Sequence, residues 1–135
     1  TYITFQMTYK EAINALEIAH IRNKECPVVW NEKIGYWKLL KDMSQQQQCK
    51  EFVSKKIDAL IQYDKENESD LIETLEALVN HLGARNITAT SLYLHRNTLM
   101  YRIKKIENLT GYDLSDPESI LELSLALRLN KFMNH

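Results

Sequence analysis

The chain has 135 residues, 44% apolar and 26% charged, with a formal net charge of −1. That length suits one domain, or one domain with part of another, and the apolar content is enough for a real core. With no run of about 18 apolar residues and no basic-then-apolar leader, neither a membrane span nor a signal peptide is expected. Only 3 Gly and 2 Pro argue for few tight turns and much helix. Cys26 and Cys49 are too few and too unpatterned for a disulfide framework or a metal site, and they fit a reducing cytoplasm. The first residue is Thr rather than Met, so a piece of a longer protein is expected.

At the start, Ile3, Phe5 and Met7 alternate along TYITFQM as in a short strand. Thr8-Tyr9-Lys10-Glu11 has the form of a capping box and opens a helix reaching about Arg22. CPVVW at 26–30 reads as a second strand, and a short helix follows around 36–41. Two strands do not make an independently stable sheet. Residues 1–43 are therefore expected to be the tail of a truncated α/β domain, and 44–135 a separate helical domain.

Ser44-Gln45-Gln46-Gln47 fits a second capping box, which would make the glutamines the exposed first turn of a helix. Cys49, Phe52, Val53, Ile57, Leu60 and Ile61 then fall on one helical stripe. The polar run 64–69 breaks it. Leu71, Ile72, Leu75, Leu78, Val79 and Leu82 form a further stripe, with Gly83 as its stop. Thr88 is placed to cap the next helix, with Ile87 stapling onto Leu92. After Leu94 the pattern breaks at His95-Arg96 and resumes with Leu99, Ile103, Ile106 and Leu109, ending at Gly111. Asp116-Pro117 starts a last helix, Asp as cap and Pro at the first helical position. Its many leucines wrap more than one face, so it is buried deeply or shared with a partner.

Two helices joined by three or four residues, the second longer and basic, outline a helix-turn-helix. Ala89 is small where the helices must approach, and Leu99 follows ten residues later on the second helix. The position four after the small residue, often Gly in such units, is Tyr93. From Arg85 to Tyr112 five basic residues face one acid, giving +4 and leaving −5 for the rest. Local asymmetry of this kind matters more for nucleic-acid binding than the whole-chain charge, although any basic helix face gives the same count. With Leu99, Ile103 and Ile106 facing the core, Thr98, Tyr101, Arg102 and Lys105 are expected to point outward. Arg96, Asn97 and Arg102 have base-edge chemistry, since Arg can fork onto guanine and Asn onto adenine. Thr98 and Tyr101 suit phosphate oxygens or a thymine methyl, and Lys105 a phosphate. His95, at the turn, suits a structural hydrogen bond as well as a phosphate contact.

The residues Asp70-Leu71, Thr74-Leu75, Ala89, Leu92, His95-Arg96-Asn97-Thr98-Leu99, Tyr101-Arg102 and Ile106 make up one recurring pattern. It runs on through Leu109-Thr110-Gly111, Asp113-Leu114, Asp116-Pro117 and Leu125-Ala126-Leu127. Over residues 45–133 this resembles the C-terminal helix-turn-helix domain of PucR/CdaR-type bacterial transcription regulators. Glu11-Ala12 and Ala15-Leu16 are similar to the closing helix of the degenerate GGDEF-like domain that precedes it in that family, although no GGDEF signature is present. The resemblance implies a mostly α fold, a helix-turn-helix bundle behind a small truncated α/β segment. It implies a cytoplasmic regulator, often an activator, reading double-stranded DNA through a recognition helix at about 97–110. The DNA-binding set is then Arg96, Asn97, Thr98, Tyr101, Arg102 and Lys105. A small-molecule effector would be bound by upstream domains, the full-length protein would be a homodimer, and RNA polymerase is a possible partner. No cofactor is expected.

Two other classes compete. An enzyme would need a nucleophile, a base and an orienting group converging, and no Gly-rich phosphate loop, Cys/His pair or carboxylate dyad stands out. A helical protein-interaction module would explain the stripes but leave the +4 on the helix-turn-helix without a purpose.

Overall fold

The computed structural model describes residues 35–133, which form six α-helices: α1 (Gly35–Met43), α2 (Gln47–Asn67), α3 (Leu71–Asn80), α4 (Arg85–Ser91), α5 (Arg96–Thr110) and α6 (Pro117–Met133). The described residues contain no strand. The strands expected at 1–7 and 26–30, and the capped helix between them, lie outside the described residues. So does the segment read as a GGDEF-like closing helix.

The stripe on α2 does what its spacing requires. Val53, Ile57 and Leu60 are buried, with Phe52 and Ile61 packed against them at the edge. α2 lies along α6 and also packs on α3 and α5. On α6 the buried residues Ile120, Leu123, Ala126, Leu127, Leu129 and Phe132 spread around the axis, because the helix touches α1, α2 and α3 together. That explains a leucine-rich sequence with no single apolar face. From α1, Trp37 reaches the same core, its ring 5.9 Å from that of Phe132.

Several helix ends differ from expectation. Ser44 is buried and its hydroxyl donates to the Lys41 carbonyl at 2.6 Å, so it closes α1. The cap position of α2 is Gln46, which makes no side-chain cap bond, and the capping box at Ser44 does not form. The polar run 64–69 does end the stripe, and α2 stops within it, running to Asn67 with Glu68 in the left-handed conformation. The Asp64 carboxylate accepts from the Leu71 and Ile72 amides at 2.8 and 2.9 Å. It thereby satisfies orphan donors of the first turn of α3 from the preceding helix.

Thr88 is not a cap either. It sits fully buried inside α4, its hydroxyl donating to the Ala84 carbonyl at 2.7 Å. Ile87 is exposed, so the staple onto Leu92 is absent. The helix opens four residues before Thr88, with Ala84 at its N-cap position. Of the ends read from Gly and Pro, those at Gly111 and Asp116-Pro117 were placed correctly, whereas α3 already ends at Asn80 and Leu82, expected on its stripe, is exposed at φ 54°. Gly83 takes φ 85° and its amide donates to Leu78 O at 2.9 Å, Gly111 closes α5 with φ 78°, and Asp116 accepts from the Glu118 amide at 3.1 Å at the start of α6.

Candidate nucleic-acid interface

α5 is seated by Leu99, Ile103 and Ile106, all buried, against α2, α3 and α4. Ala89 of α4 is buried at the crossing, where a larger side chain would hold the two helices apart. The chain turns between α4 and α5 through Tyr93, at φ 55°. The following amide, Leu94, donates back to Ala89 O at 2.9 Å. Tyr93 is thus in the left-handed conformation that glycine adopts without strain, which explains why glycine is frequent at this point of such units. Its side chain is 95% exposed and contributes nothing to the core.

His95 is the N-cap of α5. Its backbone is extended and its Nδ1 accepts from the Asn97 amide at 3.1 Å. Of the two roles open to it in the sequence, the structure shows the hydrogen bond. Asp, Asn, Ser and Thr are the usual caps, and here an imidazole nitrogen takes their place.

Arg96, Asn97 and Thr98 are exposed at the start of α5, and Tyr101 is 68% exposed one turn later. Arg102 and Lys105 do not point outward as expected. Arg102 is half-buried and donates from Nη1 to the Thr74 hydroxyl on α3 at 3.1 Å. Lys105 is half-buried with its ammonium 4.9 Å from the centre of the Tyr63 ring. For Arg102 the reason is helical phase, whereas Lys105, as far from the buried stripe as Lys104, is covered by the Tyr63 ring of α2. At about 100° per residue, Arg102 lies beside Ile106 and Leu99 on the flank of the buried stripe. The direction opposite the core is taken by Asn97, Tyr101, Lys104 and Asn108, all exposed. Lys104 and Asn108 were left out of the expected set, and measuring each position's angle from the Leu99–Ile103–Ile106 stripe would have found both. Met100, 44% exposed, borders the same surface.

The +4 counted from sequence is therefore not all surface charge. Arg85 is half-buried and its guanidinium lies 3.3 Å from the Ser115 hydroxyl. With Arg102 and Lys105 also engaged with side chains of other helices, Arg96 and Lys104 are the two exposed cations of that segment.

A short helix, a left-handed turn and a longer second helix whose exposed N-terminal edge is polar define a helix-turn-helix unit. Residues 71–129 match the PucR C-terminal helix-turn-helix domain, and the chain is homologous to PucR- and PutR-type regulators. It is 31% identical over 125 residues to the proline-responsive transcriptional activator PutR of Bacillus subtilis, covering 92% of this chain and 30% of that protein. It is 30% identical over 126 residues to the purine catabolism regulatory protein of the same organism, covering 93% and 23%. With the carbohydrate diacid regulator of Escherichia coli the identity is 39% over 66 residues, 49% of this chain and 17% of that one. The chain thus spans less than a third of the length of these relatives. No solved structure matches the chain significantly. Among the described residues no helix is long and apolar enough to cross a membrane.

Proposed function

We propose that this chain is the DNA-binding part of a metabolite-responsive bacterial transcription regulator, and that α5 enters the major groove of double-stranded DNA. The observation that carries the reading is the outward face of α5. It presents Arg96, Asn97, Thr98, Tyr101 and Lys104 on a helix anchored by three buried residues on its other side. Arg96 and Asn97 supply the forked donors and the amide that read guanine and adenine. Thr98, Tyr101 and Lys104 supply the hydroxyls and the cation that hold phosphates. Arg102 and Lys105 border this face and support it.

The relatives named above are an activator and two regulators, and activation is the mode we assign here, with RNA polymerase as the partner of the activated complex. One α5 per chain makes few base contacts, so the full-length protein acts as a homodimer on two half-sites about one helical turn apart. Domains upstream of this segment bind the effector, and the end of the nearest of them, expected at 1–43, stops before α1, whose Trp37 and Leu40 are buried in the helical core.

Binding of the chain to random-sequence duplex DNA, followed as salt rises, tests the reading. Groove binding lowers log K linearly with log salt, by about 0.9 per neutralised phosphate. A protein-interaction module would show no salt-dependent DNA affinity, and that result would end the proposal.

A further inference from the structure

Arg102 carries base-reading chemistry, yet its side chain is turned toward the protein. Its Nη1 donates to Thr74 Oγ1 at 3.1 Å. Thr74 has no solvent exposure, and its hydroxyl proton is given to the Asp70 carbonyl at 2.8 Å. The hydroxyl lone pairs are thus left to accept from the guanidinium, and the chain Arg102 to Thr74 to Asp70 runs in one consistent donor direction. Neither ion pair of the described residues, Lys56–Glu122 and Lys131–Glu76, involves Arg102.

The remaining attachment of α5 to α3 is apolar. Burial of Leu99, Ile103 and Ile106 is strong but has no preferred direction, so it resists lifting the helix more than turning it. A helix with side chains is about 10–12 Å across, so a roll of about 20° moves its outer surface by roughly 2 Å. That is enough to break a bidentate contact between Asn97 and a base, which tolerates only a few tenths of an ångström. A directional hydrogen bond at the flank of the helix supplies the missing restraint. We infer that Arg102 is a positioning residue: through Thr74 it fixes the rotation of α5 on α3, and it does not itself read DNA. The inference rests on the reading of α5 as the DNA-contacting helix.

The test uses the 135-residue chain, an operator selected from randomised duplexes, and a scrambled duplex of equal length. Three variants are compared: Arg102→Ala, Thr74→Val, which keeps the shape but removes the acceptor, and Thr74→Ser, which restores the hydroxyl. Binding is measured well below each variant's thermal midpoint. The expected result is that Arg102→Ala and Thr74→Val each weaken operator binding about tenfold, as loss of one base contact would. The double variant should be no worse than either, Thr74→Ser should bind like the wild type, and scrambled-duplex affinity and the salt slope should not change.

Two results would overturn the inference. If Thr74→Val binds the operator normally while Arg102→Ala loses discrimination at one base pair, Arg102 reads a base. If Arg102→Ala weakens both duplexes and lowers the salt slope by about 0.9, it holds a phosphate. Absence of any selected operator, with no salt-dependent binding, would instead remove the DNA reading and this inference with it. A folding defect alone is recognised because it lowers operator and scrambled binding together.

Discussion

The two sides of α5 differ in what they contribute. Leu99, Ile103 and Ile106 are buried among three other helices, while Asn97, Tyr101, Lys104 and Asn108 touch no part of the core. One side holds the helix in place and the other is free to vary without cost to the fold. Stability and recognition are therefore separable along a single helix, and substitutions on the two sides should fail in different ways.

The largest effect is expected on the buried side. Ile103→Ala deletes a fully packed side chain at the centre of the seat and should destabilise the chain by about 2–5 kcal/mol, read as a shift in the urea midpoint. A loss below about 1 kcal/mol would mean that α5 is not packed as described. On the exposed side, Asn97→Ala should leave the urea midpoint within about 0.5 kcal/mol of wild type. Its operator affinity should fall by about 1–3 kcal/mol. Loss of stability without loss of affinity at Asn97 would reverse the assignment of the two sides.

At the junction of the two sides stands His95. Its ring nitrogen caps α5 through the Asn97 amide, so His95→Ala should cost about 1 kcal/mol and His95→Asn much less. Thermal unfolding of the two variants separates this capping role from a phosphate contact. A phosphate contact would leave stability alone and weaken DNA binding in both.

The parts of this arrangement that were legible in the sequence are those set by periodicity and by residues with one conformational use. The stripes of α2, α3 and α5 were readable because each apolar residue recurs at helical spacing. Gly111 and Asp116-Pro117 were readable because few other residues do their work. The helix starts at Ser44 and Thr88 were misread, since Ser and Thr can also bond backward to a carbonyl three or four residues earlier. In the structure both do. The inward turn of Arg102 and Lys105 was hidden for a different reason. Their partners, Thr74 and Tyr63, lie on other helices, and one helix's pattern says nothing of what its flank will meet. The same limit applies to Asp64, whose cap on α3 spans seven residues.

Adjacent lysines offer the finest comparison, with the smallest expected effect. Lys104 is exposed on the side of α5 away from the core, whereas Lys105 is half-buried over the Tyr63 ring. Both carry the same charge and lie one residue apart, so any long-range attraction to DNA is nearly equal for the two. Only a direct phosphate contact distinguishes them, because only a contact releases a condensed counterion. Lys104→Ala should therefore reduce the log–log salt slope of DNA binding by about 0.9, and Lys105→Ala should leave it unchanged. Lys105→Ala should instead cost about 0.5–1 kcal/mol of stability through the lost cation–π contact, a term absent at Lys104. If the slopes of the two variants were exchanged, α5 would meet DNA rotated toward the Tyr63 flank. Arg102, on that same flank, would then return to the contact surface.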